Sequence, residues 1–130
     1  MEINSITSFT RSASWVKLES EKEMANPEHV ALVLSGVEAL NSWRRENPGV
    51  ILQLADADLF DRDLSGANLA HAIMCRATLS QSDLSGANME GVNLREANMF
   101  NADLSGARMY GSDLTDADLS SASLAGTNLH

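Results

Sequence analysis

The chain has 130 residues and a formal net charge of −9. That charge argues against direct nucleic-acid binding, which needs Lys and Arg to displace counterions from phosphates, and it disfavours anionic membrane surfaces. Aromatic content is 5% against 44% hydrophobic, so the apolar residues are mainly Ala, Leu, Met and Val and imply thin, regular packing. The single cysteine, Cys75, cannot form an intramolecular disulfide, and zinc-ligand spacings are absent.

Residues 1–23 are polar apart from Trp15 and Val16 and are expected to be a weakly ordered extension; Met24 could serve as an alternative start. They lack the basic lead and apolar stretch of a secretory signal. No stretch approaches the roughly 18 apolar residues that span a bilayer. A soluble cytoplasmic protein is the expectation.

Residues 24–49 read as one helical unit. Asn26-Pro27-Glu28 offers an N-cap, a first-turn proline and an acid at the positive end of the helix dipole. Val30, Val33, Leu34, Val37, Leu40 and Trp43 recur at helical spacing, and Arg44 and Arg45 sit where cations favour the helix end. Asn47-Pro48-Gly49 stops the helix. A single helix over Asn26–Glu46 is expected, followed by Val50, Ile51, Leu52 and Leu54 leading into what comes next.

From Leu59 onward, Leu or Met returns at every fifth position without a miss, through Leu64, Leu69, Met74 and so on to Leu124 and Leu129. A small residue precedes each by two, with Arg62 the single exception, and the position between is usually Asp or Asn. A period of five fits neither a helix nor a strand, because every fifth residue drifts around a helix that turns about 100° per residue. A chain that turns a corner every five residues does fit, with two residues inward and three outward. Asp-Leu-Ser-Gly-Ala recurs at 63–67, 83–87 and 103–107, and Ser-Leu-Ala-Gly-Thr follows at 123–127. Twenty residues per coil means four sides, with residue i stacked on i+20 at the parallel-strand spacing of about 4.8 Å. Gly66, Gly86, Gly106 and Gly126 then share a corner suited to positive φ, while the mixed residues at other corners suggest a different turn type.

The motif A(D/N)LXX, held through residues 57–130, resembles the pentapeptide-repeat family. The resemblance implies a right-handed quadrilateral parallel β-helix, a β-solenoid, over residues 50–130. About four coils are expected, with Leu, Met and Ala inside and the N-terminal α-helix as a cap over the first coil, as solenoid ends require. The strings Asn-Pro-Glu-His, Gly-Val-Glu and Trp-Arg are similar to the leader before many bacterial pentapeptide arrays.

Outward residues form columns. Asp63, Asp83 and Asp103 make one, readable as spaced anions for a partner or as carboxylates bonded to nearby backbone. Asp56, Arg76, Glu96 and Asp116 suggest an ion-pair ladder. Phe60 and Phe100 share a column with Ser80 and Ser120; Tyr110 shares another with Glu90 and His130. These aromatics and the Asp column are the candidate partner-facing residues. Cys75 is placed outward beside Arg95. His29, His71 and His130 are too far apart for a metal site, and no catalytic, cofactor or metal residues are assigned. The last coil has no cap, so Leu114, Leu119, Leu124 and Leu129 are a candidate face for a weak homodimer.

The expected function is a non-enzymatic scaffold that presents a rigid acidic surface to a protein partner of unknown identity. The alternative is DNA mimicry. The quinolone-resistance branch of the family implies acidic dimeric rods that bind DNA gyrase, and residues 50–130 here carry nine Asp and two Glu against four Arg. Against it stand a rod only about 19 Å long, a repeat with no interrupting loop, and Leu and Met where that branch places inward aromatics.

Overall fold

The computed structural model describes residues 24–130; the expectation for residues 1–23 lies outside them. The expected single helix is two. Helix α1 spans Pro27–Leu34 and helix α2 spans Val37–Glu46. The Asn26 side chain accepts the Glu28 amide at 2.9 Å, as its cap position implies. The break falls at Ser35-Gly36, where Gly36 adopts φ +120°, a conformation only glycine takes without strain. The chain therefore re-aims after α1, and Leu34, counted on the apolar face of a continuous helix, is exposed instead.

The repeat folds into four stacked coils joined by single parallel bridges between residues twenty apart, as in Gln53↔Ile73, Ile73↔Asn93 and Asn93↔Asp113. The first coil starts one pentapeptide earlier than the Leu59 series, with Leu54 as its inward centre and Leu52 in the place of the small residue; both are fully buried. Val50 and Ile51, on the lead into this coil, are exposed. Each side is tied to its neighbours by a recurring bond set. On the second side, Leu64 N–H donates to Asp83 at 2.7 Å, Asp83 N–H to Arg62 at 2.9 Å and Gly66 N–H to Ser85 at 2.9 Å. Inward Leu and Met side chains from Leu54 to Met109 are buried almost completely, and each contributes roughly 1.5–3 kcal/mol by leaving water.

The corners overturn one expectation. They are uniform, not mixed. Residues 56, 61, 66, 71 and onward to 126 all hold positive φ, glycine at six of them and Asp, His, Arg, Gln, Glu, Asn or Ser at nine. Most corners close with an i→i+3 bond, as Ala67 N–H to Leu64 at 3.0 Å, and the third residue carries the positive φ that a type II turn requires. At seven of the nine non-glycine corners the amide joins the ladder, which offsets a left-handed site that costs about 1–2 kcal/mol. Asp56 N–H donates to Cys75 at 2.9 Å and His71 N–H to Glu90 at 2.7 Å.

Arg62 explains how the repeat survives its one irregular inward position. Its side chain is exposed, as an unpaired guanidinium demands. Its corner is opened rather than closed. Ser82, twenty residues on and 1% exposed, inserts its hydroxyl there, accepting the Arg62 amide at 3.0 Å and donating to the Leu59 carbonyl at 2.6 Å. Ser82→Ala leaves both backbone groups without that partner and is expected to cost about 1–3 kcal/mol in urea unfolding. Ser112 is the comparison: its hydroxyl donates to Met89, whose carbonyl also takes the Val92 amide, so Ser112→Ala costs less. Equal losses would contradict the bridging role.

The helix pair supplies the first coil with the bonds a preceding coil would give. Asn41 accepts the Asn68 amide at 2.8 Å and donates to Gly66 at 3.1 Å. Buried Arg44 donates to Val50 at 2.8 Å and Ala70 at 2.7 Å. His29 Nδ1 accepts the Gln53 amide at 3.0 Å, and Asn26 N–H donates to the Gln53 carbonyl at 2.8 Å. Val33 and Leu40 join the solenoid core.

His29 should make this junction pH-sensitive. Burial lowers its pKa below 6.5, Glu28 opposes that shift, and Arg44 adds to it. A protonated ring cannot accept at Nδ1. The unfolded chain therefore takes up the proton first, so stability present above about pH 6.5 declines as pH falls toward the folded value. Melting temperature should drop over that window, and His29→Gln, whose amide oxygen can accept the same bond without titrating, should flatten the drop.

Candidate interaction surface

The twenty-residue register defines four sides by their inward columns. The first is centred on Leu59, Leu79, Met99 and Leu119, and the second on Leu64, Leu84, Leu104 and Leu124. The third is centred on Leu69, Met89, Met109 and Leu129, and the fourth on Leu54, Met74, Leu94 and Leu114. The residue before each centre and the one after it face outward, so a side's chemistry is read directly from those positions.

Asp63, Asp83 and Asp103 do stack on the second side through parallel bridges. Each also closes a local turn: Asp63 Oδ1 accepts the Ser65 amide at 3.2 Å and hydroxyl at 2.8 Å, Asp83 Oδ1 accepts the same groups of Ser85, and Asp103 Oδ1 accepts the Ser105 amide at 3.0 Å. The Ser65 hydroxyl first, then its amide, holds the Asp63 carboxyl below the usual carboxylate range. The corresponding groups of Ser105, Thr115 and Ser120 do the same for Asp103, Asp113 and Asp118. The local bonding thus explains why Asp and Asn occupy this position, and it leaves the other carboxylate oxygen facing outward.

Charge is not spread evenly. The first and second sides with their shared corner carry Asp58, Asp61, Asp63, Asp83, Asp103 and Asp118 against Arg62, and Arg62 makes no ion pair among the described residues. The ion pairs lie on the other two sides: Arg76 with Asp56 at 3.0 Å, Arg95 with Asp113 at 3.4 Å and Arg108 with Glu90 at 2.8 Å. The expected Arg76 ladder thus has its Asp56 rung. Such exposed pairs contribute at most about 1 kcal/mol each.

The aromatics divide. Phe60 and Phe100 are 48% and 43% exposed on the first side, with Ser80 between them buried despite its outward position. Tyr110, 62% exposed, stands on the third side, across the solenoid, so the three do not share a surface. Cys75 corrects another expectation: it is buried, not outward. The same position is occupied by buried Ala55 one coil earlier, so a small side chain there is recessed among longer neighbours such as Arg76 and Arg95. Leu124 and Leu129 are 41% and 48% exposed, while Leu114 and Leu119 are half-buried.

His29 packs against Trp43 with ring centroids 5.6 Å apart, far along the rod from His130. Among the described residues no three His, Cys, Asp or Glu side chains gather as a metal site would require. No helix there is long and apolar enough to cross a membrane. A shallow hollow beside the start of α2 is lined by Ser35, Gly36, Glu38, Asp63 and Ser65, the last two joined by the hydroxyl–carboxylate bond that closes the Asp63 turn. What the sequence reading missed is the bonding of Asn41, Arg44 and His29 to the first coil, since helical spacing identifies an apolar face but not which polar groups meet a strand edge.

A family model described as "Pentapeptide repeats" matches residues 63–99 and 97–130, more than half of the chain, with eight copies. No curated protein matches. Among solved structures, a pentapeptide repeat protein from the Arabidopsis thaliana thylakoid lumen is 37% identical over 55% of this chain and 49% of its own, with a TM-score of 0.54. A pentapeptide repeat protein from Nostoc PCC 7120 is 34% identical over 58% of this chain and 63% of its own, with a TM-score of 0.58. The chain thus spans about half to under two thirds of these relatives' length. A plasmid-mediated fluoroquinolone resistance protein also matches, at 18% identity over 57% of this chain and 56% of its own, with a TM-score of 0.26, too low to carry an argument about activity. The five-residue period, the twenty-residue coil and these matches agree, and the chain belongs to the pentapeptide repeat family.

Proposed function

We propose that this chain is a non-enzymatic interaction module, a rigid four-sided rod that binds a protein partner through its outer columns. The observation that carries this reading is the contrast between a backbone closed by ladder bonds on every coil and the large aromatic side chains left exposed on it at Phe60, Phe100 and Tyr110. Exposed aromatics on a pre-ordered frame lose little entropy on binding. Affinity capture from the source cells with the wild type and with Phe60→Ser/Phe100→Ser and Tyr110→Ser variants tests it. A partner retained by the wild type and lost with one aromatic column is expected. A partner set unchanged by every variant, or turnover of a small-molecule substrate by the pure chain, would contradict it.

The helix pair serves in this reading as the cap of the first coil, supported by the bonds of Asn41, Arg44 and His29. The fourth coil supplies a weak two-fold contact through Leu114, Leu119, Leu124 and Leu129, supported by the exposure of the last two. Light scattering at high micromolar concentration should give a dimer that Leu124→Lys returns to monomer; a monomer in both removes the contact.

DNA mimicry is a second reading, favoured by the acidic bias of two adjoining sides. A gyrase supercoiling assay separates the two. No inhibition at micromolar concentration is expected from the module; inhibition abolished by Asp83→Asn would favour mimicry.

A further inference from the structure

The exposed phenylalanines and the surplus charge share one place. Phe60 and Phe100 lie two coils apart in one column, about 10 Å by strand spacing, with small Ser80 between and Ser120 beyond. Asp58 and Asp118 stand in the preceding column of the same side, and Asp61 follows Phe60 at the corner. Asp63, Asp83 and Asp103 begin the adjoining side. Asp58, Asp63, Asp83, Asp103 and Asp118 each use Oδ1 for a local turn, which leaves Oδ2 without a bond among the described residues. On the far sides the arginines already neutralise carboxylates.

We propose that the first and second sides together form a docking surface for an arginine-bearing basic polypeptide segment. The inference rests on the module reading and names its face and its partner's chemistry. Charge complementarity selects a cationic occupant and excludes nucleic acid, whose phosphates these carboxylates repel. The phenylalanines select arginine over lysine. A guanidinium is planar, stacks on an aromatic ring and still presents a fork of N–H donors to a carboxylate, while an ammonium is a more strongly hydrated point charge. Arginine side chains laid along the Phe60–Ser80–Phe100 column reach carboxylates on both flanks.

The test is an NMR titration of the isotopically labelled full chain at about physiological salt, where loose surface attraction is screened beyond roughly 8 Å. The probes are an uncharged-end decapeptide of arginine and the matching decapeptide of lysine. Shifts confined to residues 58–66, 78–86, 98–106 and 118–126 are expected, with at least tenfold tighter binding of the arginine peptide. Phe60→Ser/Phe100→Ser should weaken it at least fivefold while the variant keeps a cooperative thermal transition. Equal affinity for both peptides, shifts along the carboxylates of all four sides, or no shift at millimolar peptide would overturn the proposal. None of these outcomes bears on whether the chain is an interaction module, because the capture experiment reads that through native partners.

Discussion

Leu84→Asp should abolish cooperative folding of the solenoid. Leu84 is fully buried on the second side, between Leu64 and Leu104 of the neighbouring coils. Truncating such a residue to alanine already costs about 2–5 kcal/mol. A carboxylate adds the desolvation of a charge with no cation beside it in the core among the described residues. Against a total stability on the order of 5–15 kcal/mol, the sum removes most of the folded population. Circular dichroism should lose its thermal transition. The comparison must be chosen with the structure in hand. Ser85, next door and outward, is not silent, because its hydroxyl donates to Asp83 at 2.6 Å and an acid there would face that carboxylate. Phe100→Ser is the better control, since its column carries serine at Ser80 and Ser120; it should cost under about 1 kcal/mol. Similar melting of both variants would mean the inward and outward assignment is wrong.

Removing residues 1–46 should turn the protein into an aggregating one. The deletion uncovers Leu52 and Leu54, strips Val33 and Leu40 from the core and leaves the amides of Gln53 and Asn68 and the carbonyls of Gly66 and Ala70 without their partners. An open edge of this kind pairs with other chains. A chain beginning at Met24 keeps every one of these contacts and serves as the comparison. Arg44→Met is the sharper probe. It keeps the buried stem and removes two bonds from a guanidinium, each worth about 1.5–3 kcal/mol when charge-assisted. A soluble array that melts unchanged without the helices would refute the cap.

The sequence carried the solenoid almost completely, for a physical reason. A core one Leu or Met wide admits no compensation, so every fifth residue is constrained and the period reads cleanly. The corners were harder. Glycine at residue 66 announces a left-handed site, but arginine at residue 76 and histidine at residue 71 do not. Their amides are held by the ladder, and that gain comes from residues nineteen positions away, Glu90 and Arg95. A similar distance hid Ser82, which reads as a small inward residue until its register partner Arg62 is known. The break between the helices was written in Ser35-Gly36, yet apolar spacing continued through it and outweighed the signal. As for the candidate surface, the sequence assigned the Asp column and the Phe column to their places. It also put Tyr110 in a column of its own, but it grouped the three aromatics as one set of partner-facing residues and did not show that Arg76, Arg95 and Arg108 pair on the other two sides.

The twenty-residue coil is the claim on which the sides, the charge asymmetry and the docking surface all depend. Nuclear Overhauser spectra of the labelled protein test it directly. The account predicts backbone contacts between residues twenty apart, along Gln53–Ile73–Asn93–Asp113 and Asp63–Asp83–Asp103. Contacts fifteen or twenty-five residues apart, or a continuous helical i to i+3 series through residues 57–130, would contradict it.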